Sequence, residues 1–277
     1  MPFTVSHAIV AVPFARTAIP AAAVASGAMA PDLPLFLPVG VSYSATHEVP
    51  WFLVTSIPLA FAALVLWLVA VRPAVGFVVP SWIGRRLPPE WAGSPREGWE
   101  SLWRASGAGH GRRRAGATLR AALLLLAAFG IGVLTHVFWD GFTHTDRWGT
   151  LLFPALNDTV AGSTGASWLH YISSFAGFAA LVVWAVLWLR RRDPRPRPDL
   201  GSGGRSSRAA AAAAAFWSIL SAAFVLATLS AALSIPPIES IAGVVDLAFA
   251  WVTQVGAALA VAAVLAGALV QLLLRRP

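Results

Sequence analysis

The stretch LRAALLLLAAFGIGVLTHVFWDGFTH, residues 119–144, joins an apolar run to three ionisable residues spaced by four. A membrane-spanning helix needs roughly 20 mostly apolar residues, and the run from Leu119 to Trp139 is long enough to form one. His136, Asp140 and His144 stand at its end. The segment therefore predicts a spanning helix that carries a polar site at one end.

Four further runs have the same apolar character. They are Trp51 to Val71, Trp168 to Leu189, Ala209 to Leu233 and Ile241 to Leu274. Of the 277 residues, 57% are hydrophobic and 12% are charged, and the mean hydropathy of +0.71 is well above that of soluble proteins. The sequence predicts an all-α fold, a polytopic bundle of about five spanning helices with no large aqueous domain.

The N-terminal apolar segment, Ala8 to Val39, differs from these runs because prolines interrupt it. They are Pro13, Pro20, Pro31, Pro34 and Pro38. Each proline removes a backbone donor, so we expect a pair of short or re-entrant helices here in place of one continuous span. A hairpin would keep His7 on the same side as His47, whereas a single span would separate them.

Arginines gather between the first and second runs, between the third and fourth, and at the C-terminus. By the positive-inside rule these three segments face the cytoplasm. We therefore expect a multi-pass membrane protein with a cytoplasmic C-terminus. Because the arginines follow the topology, we interpret them as topology determinants and lipid contacts, and we expect no nucleic-acid partner.

The composition also suggests a division of the chain. Residues 191–208 are rich in Arg, Pro, Gly and Ser, which is typical of a flexible linker. The linker would separate a membrane domain, residues 1–190, from two C-terminal transmembrane helices, residues 209–277.

The polar end of the 119–144 segment carries two histidines and an aspartate, which are unusual at the end of an apolar helix. Steps of four residues place His136, Asp140 and His144 along one stripe of a helix, unless Gly141 ends the helix first. Imidazole and carboxylate groups at the end of an apolar helix are costly unless they are paired, hydrated or bound to a cation. Two alternatives stay open: His136 and Asp140 only hydrogen-bond each other, or both side chains are hydrated among the lipid head groups at the membrane interface.

Other residues favour a metal. An unpaired carboxylate at Asp32 would be costly in its apolar surroundings. The chain has no cysteine, so any metal must use nitrogen and oxygen ligands, and zinc suits imidazole and carboxylate. His170 is a further candidate ligand or supporting residue, although a lone histidine at the start of a span is more typical of an interfacial residue.

Four segments carry a family resemblance: MPFTVSH at 1–7, GAMAPD at 27–32, TH at 46–47 and THVFWDGFTH at 135–144. They resemble DUF4184, a family of bacterial multi-pass membrane proteins, over roughly residues 1–190. The resemblance implies that the protein lies in the bacterial cytoplasmic (inner) membrane. That family is more distantly similar to YdjM-type membrane-bound metal-dependent hydrolases, and its His and Asp pattern is similar to that of zinc-dependent phospholipase C.

The resemblance implies one metal site. Its residues would be His7, Asp32, His47, His136, Asp140 and His144. Related sequences often have Thr-His-Ser where this chain has Thr46-His47-Glu48, so Glu48 is either a departure from the family or an extra acid near the metal.

The leading hypothesis is a membrane-embedded hydrolase that uses a divalent metal, zinc by preference, to cleave a phosphoester at the outer face. Asp140 or Glu48 would accept a proton, and the substrate could be lipid-linked and arrive from the bilayer. The alternative is a non-enzymatic scaffold or binding protein with a structural His/Asp cluster. A transporter has little support, because no inverted repeat stands out and intramembrane charges are few.

Overall fold

A computed structural model describes residues 4–104, 115–196, 204–234 and 241–275. Within them, five helices are long and apolar enough to cross a membrane. They are Phe52–Val78, Gly116–Thr143, Gly165–Arg190, Ser207–Leu233 and Leu247–Leu274. The predicted all-α fold with about five spanning helices is confirmed.

The described helices and strands follow one another along the chain in this order. A 3-10 helix, Thr4–Arg16, precedes α1 (Ala21–Met29), α2 (Leu33–Phe36), α3 (Tyr43–His47), α4 (Phe52–Leu66), α5 (Arg72–Val78), α6 (Ser81–Gly84), α7 (Pro95–Arg104), α8 (Ala115–Thr143), α9 (Trp148–Leu152), α10 (Gly165–Arg190), α11 (Gly204–Leu233) and α12 (Ile241–Arg275). Shorter pieces are the 3-10 helices Ala30–Asp32, Pro89–Ala92 and Pro154–Asn157, a π-helical turn Trp67–Val71, and an antiparallel pair of strands, β1 (Thr159–Val160) and β2 (Ser163–Thr164).

Two helices run further than the hydropathy pattern indicated. The first span continues past Val71 into α5, and a π-helical turn, Trp67–Val71, stands directly before Pro73 in the first turn of α5. The helix α8 passes through Gly141 and ends at Thr143. A Cβ at Gly141 would collide with the indole of Trp148, so this glycine permits close packing and does not end the helix.

Part of the predicted linker lies outside the described residues, namely 197–203. The helix α11 already begins at Gly204. His110 and Arg112 to Arg114 also lie outside the described residues. The division into residues 1–190, 191–208 and 209–277 stays a prediction.

The chain forms two compact units: Met1–Leu64 with Ala105–Trp184, and Val65–Arg104 with Ala185–Pro277. In the second unit, α5, α11 and α12 share a core of small and medium-sized side chains. These are Ala74, Val78, Ala212, Phe216, Ala266 and Val270. Small residues at such contacts let helices approach closely, which is how apolar helices associate in a bilayer.

In the first unit, α1 packs directly on the backbone of α8. A Cβ at Gly27 would lie 2.5 Å from the carbonyl oxygen of Phe129, and one at Gly132 would collide with the carbonyl oxygen of Val24. The hydroxyl of Ser26 also donates to the carbonyl of Ala60 in α4, at 2.7 Å. Glycine at the contact therefore fixes the end of α1 beside the part of α8 that follows Gly132.

The N-terminal segment turns back on itself. His7 and His47 lie before and after it, and their Nε2 atoms are 3.9 and 3.5 Å from the two carboxylate oxygens of Asp140. Because both ends of the segment reach one side chain, residues 8–39 form a pair of short helices and not a single span. Pro20 precedes the first turn of α1, a position that tolerates the missing N–H.

Replacing Gly132 by alanine should destabilise the first unit. The added Cβ meets backbone atoms of α1, which cannot move aside as a flexible side chain would, and overpacking of this kind costs about 1–3 kcal/mol. Gly130→Ala is the matched control, because no described atom lies within 4 Å of its Cβ position. Unfolding in detergent, followed by circular dichroism, should show a lower midpoint only for Gly132→Ala. Equal midpoints would contradict the close packing of α1 on α8.

Cysteine labelling should show that residues 8–39 do not cross the membrane. The chain has no cysteine, and Val5 and Ser44 are both exposed, so Val5→Cys and Ser44→Cys give clean single sites. An impermeant maleimide should label both from the same side of the membrane, and Arg96→Cys in the arginine-rich segment from the other. Labelling of Val5→Cys and Ser44→Cys from opposite sides would contradict the hairpin.

Candidate metal centre

Four ionisable side chains from three parts of the chain meet in the first unit. Asp32 ends the 3-10 helix Ala30–Asp32, His47 is the last residue of α3, and His136 and Asp140 lie one turn apart on α8. All four are buried, and each offers one ligand atom within 4.8 Å of the others. Together they are called the His/Asp cluster below.

The separations within the His/Asp cluster are short and nearly equal. The Nε2 atoms of His47 and His136 are 3.2 Å apart. The Nε2 of His136 lies 3.4 Å from Asp140 Oδ2 and 3.5 Å from Asp32 Oδ1, and the Nε2 of His47 lies 3.5 and 3.7 Å from the same two oxygens. Zinc bonds to nitrogen and oxygen imply ligand atoms about 3.3–3.6 Å apart in a tetrahedron. Five of the six separations among the four donor atoms are therefore close to tetrahedral spacing, and all four atoms lie within 4.8 Å of one another.

Backbone carbonyls set the orientation of both imidazoles. The Nδ1 of His136 is 2.7 Å from the carbonyl oxygen of Ala28, and the Nδ1 of His47 is 3.0 Å from that of Tyr43. A carbonyl only accepts, so each neutral ring carries its proton on Nδ1 and points an unprotonated Nε2 into the cluster. Two such lone pairs at 3.2 Å repel each other, so a proton or a metal cation is needed between the two nitrogens.

The carboxylates have the same requirement. Asp32 Oδ1 and both carboxylate oxygens of Asp140 are buried and receive no hydrogen bond from the described residues. A buried ionised oxygen without a partner is costly. Two carboxylates and two neutral imidazoles carry a charge of about −2, which a divalent cation would offset. The His/Asp cluster could thus hold a metal ion, and its nitrogen and oxygen donors suit zinc.

Hydroxyl groups support the cluster from outside. Thr4 Oγ1 donates to Asp32 Oδ2 at 2.7 Å, and Thr46 Oγ1 lies 2.7 Å from the carbonyl oxygen of Pro31. The hydroxyl of Ser56 in α4 reaches the carbonyl of Thr46 at 3.3 Å. Sequence reasoning assigned no role to these residues. The one signal was position, since Thr4 and Thr46 stand in the segments that contain His7 and His47.

His7 and His144 lie against Asp140 at the edge of the His/Asp cluster. The His7 ring faces that of His136, with centroids 4.1 Å apart, and burial lowers the pKa of His7 to about 4, so its imidazole is neutral at pH 7. The Nδ1 of His144 lies 3.8 Å from Asp140 Oδ2, and burial lowers the pKa of His144 as well. Of the six predicted metal ligands, four converge and two flank them.

Glu48 is placed differently from the other predicted site residues. It follows the last residue of α3, its side chain is exposed, and no described residue pairs with its carboxylate. Asp140 by contrast is buried, with its two oxygens facing histidines on different sides. The catalytic roles of Asp140 and Glu48 stay predictions, and the geometry favours Asp140.

Residues 1–273 match the family described as a domain of unknown function, DUF4184, and the chain belongs to this family. The match confirms the family resemblance and extends it beyond residue 190, through α11 and α12. Neither a comparison with curated proteins nor one with solved structures gave a match. The distant similarity to YdjM-type hydrolases stays a prediction.

The metal content of the purified chain should depend on the His/Asp cluster. We expect about one zinc ion per chain, and its loss in Asp32→Asn, because an amide oxygen is a much poorer ligand than a carboxylate. Thr4→Val should weaken zinc binding by about 10–100-fold, the usual effect of removing a hydrogen bond to a ligand. Elemental analysis and chelator competition provide the measurement.

Asp158→Asn is the control, since Asp158 is an exposed carboxylate in the connection between α9 and α10. Circular dichroism would confirm that all variants are folded. Equal zinc content in Asp32→Asn and Asp158→Asn would rule out a metal in the cluster.

Proposed function

We propose that this member of the DUF4184 family is a metal-dependent hydrolase that cleaves a phosphoester at the outer face of a bacterial cytoplasmic membrane. What supports the proposal is one observation: the unprotonated Nε2 atoms of His47 and His136 and unpartnered oxygens of Asp32 and Asp140 share one buried space. A divalent ion held there would act as a Lewis acid on a phosphoryl oxygen and lower the pKa of a water to about 7.

In the proposed reaction, the oxygen of water forms a bond to phosphorus while the ester oxygen leaves and takes up a proton. Asp140 is suited to receive the proton of the attacking water. Its Oδ2 lies beside the two Nε2 atoms, while Oδ1 points the other way and lies 3.9 Å from Nε2 of His7. Oδ1 would accept the proton, and the neutral imidazole of His7 would position it.

The surroundings of the His/Asp cluster would strengthen these interactions. All four residues are less than a twentieth exposed, so little bulk water reaches them. Charges act more strongly on one another where water is excluded. The neighbouring face of α8 is apolar, with Leu134 and Phe138 both about half exposed, which suits a substrate that arrives from the lipid.

The proposed side of the membrane follows from the arginines. Within α8, Arg120 stands near the start and Asp140 near the end, and twenty residues of helix span about 30 Å. If the arginine-rich segment before α8 is cytoplasmic, the His/Asp cluster lies towards the outer face and the C-terminus is cytoplasmic.

A second candidate is a non-enzymatic scaffold or binding protein in which the metal is structural. It is favoured by the burial of all four cluster residues, because structural zinc sites are closed and catalytic ones keep a position open. A cavity beside His7 favours the hydrolase, since His7 lines this cavity and its Nε2 lies 3.9 Å from Asp140 Oδ1.

Phosphate release from a lipid phosphomonoester should separate the two candidates. The zinc-loaded chain should hydrolyse phosphatidate, lose this activity with a chelator and regain it with zinc. Asp140→Asn should lower the rate by about 100-fold or more, since it loses both a ligand and the proposed base. Asp158→Asn should keep the wild-type rate. A zinc-loaded, folded wild type without activity would favour the scaffold, and a greater loss in Glu48→Gln than in Asp140→Asn would assign the base to Glu48.

A further inference from the structure

A cavity of about 630 Å³ lies in the first unit, between the N-terminal 3-10 helix, α8 and α10. Its walls are mainly apolar and are formed by Ile9, Val10, Leu134, Phe138 and Trp139. The exposure of Leu134 and Phe138, 50% and 56%, shows that the cavity opens on the apolar side of α8. Its volume is in the range of roughly 300–1,000 Å³ that is typical of small-molecule sites.

One end of the cavity is polar and adjoins the His/Asp cluster. His7 lines it and lies 3.9 Å from Asp140 Oδ1. Ser174 and His170 of α10 line it as well. The N-terminal 3-10 helix is held close to α10, since a Cβ at Gly177 would lie 3.1 Å from Cβ of Ser6. A molecule in the cavity would therefore have its apolar part against α8 and its polar part beside the cluster.

His170, which lines the cavity, has a ring nitrogen that makes no hydrogen bond within the described residues. It is 7% exposed, and its Nε2 is buried with no hydrogen-bond partner among the described residues. Its ring lies edge-on to that of His144, with centroids 5.4 Å apart. Leaving a buried imidazole nitrogen unpaired costs free energy, which a ligand oxygen in the cavity would offset. His170 belongs neither to the four converging residues nor to the ligand set that the family resemblance implied.

We infer that the cavity binds one hydrocarbon chain of a lipid phosphoester, and that His170 donates a hydrogen bond from Nε2 to an oxygen of its head group. The chain lies along Ile9, Leu134 and Phe138, where it replaces contact with the bilayer. The head group lies between His170 and His7, next to Asp140. That this lipid is also the substrate rests on the proposed function, whereas its binding does not.

A lipid fits these features better than a water-soluble ligand does. The cavity opens on a span that is apolar enough to face hydrocarbon, so a lipid chain can enter sideways without crossing water. A soluble phosphate compound would fill the polar end only and leave the five apolar side chains uncovered.

The inference is tested with 1-oleoyl-lysophosphatidate as the probe, measured by native mass spectrometry on the full, zinc-loaded chain. Leu134→Trp should raise the Kd by about tenfold or more, because the indole occupies the space of the hydrocarbon chain. Leu126→Trp is the matched control: Leu126 is on the same helix, 52% exposed, and does not line the cavity. Val10→Phe, on the N-terminal 3-10 helix, replaces Leu134→Trp if that variant does not fold.

Two further arms examine the head group. His170→Ala should raise the Kd for lysophosphatidate by about tenfold and leave that for 1-oleoylglycerol, which lacks the phosphate, nearly unchanged. Zinc content should stay at the wild-type level, because His170 is not one of the four converging residues. Glycerol 3-phosphate, which lacks the chain, should bind far more weakly than lysophosphatidate.

Equal Kd values for Leu134→Trp and Leu126→Trp would overturn the chain-binding site. Equal effects of His170→Ala on the two oleoyl lipids would overturn the contact to the head group. Binding that follows the expected pattern without phosphate release would support the inference and contradict only the proposed hydrolysis.

Discussion

Two carboxylates and two imidazoles share a space inside an apolar protein, and their unprotonated atoms point at one another. The separation of 3.2 Å between the Nε2 atoms of His47 and His136 is tolerable only with a positive charge among these groups, because backbone carbonyls already take the Nδ1 protons. Repulsion between lone pairs, and the cost of dehydrating Asp32 and Asp140, would otherwise drive the groups apart.

The packing of the first unit brings the four residues of the His/Asp cluster together. Glycine at positions 27 and 132 brings the backbone of α1 against α8, which places the Ala28 carbonyl within 2.7 Å of His136. The prolines of the N-terminal segment turn the chain back, so that His7 and Asp32 arrive at the same end of α8 as His47. In the bilayer, where apolar surface gains little from contact with other apolar surface, such close backbone contacts and buried hydrogen bonds hold helices together.

Much of this could be predicted from the sequence because the strongest signals were local. Hydropathy identified five spans, and proline spacing indicated the N-terminal hairpin. The spacing of four residues between His136 and Asp140 indicated that both lie on one face of a helix. Contacts between distant segments had no such signal. Nothing local shows that Glu48 is exposed while His47 beside it is buried, or that Thr4 bonds Asp32. Gly141 was a candidate helix end because glycine is common at helix ends. It instead makes room for the indole of Trp148, and that contact exists only in the folded chain. His170 appeared ordinary because its cavity is built from three separate helices.

X-ray absorption at the zinc edge reports on the ligands of a bound ion and would show directly whether a metal lies in the His/Asp cluster. We expect a shell of nitrogen and oxygen at about 2.0–2.2 Å with the outer scattering of two imidazoles, and loss of one imidazole contribution in His136→Ala. A spectrum without imidazole scattering, or one unchanged in His136→Ala, would contradict a metal between His47, His136, Asp32 and Asp140.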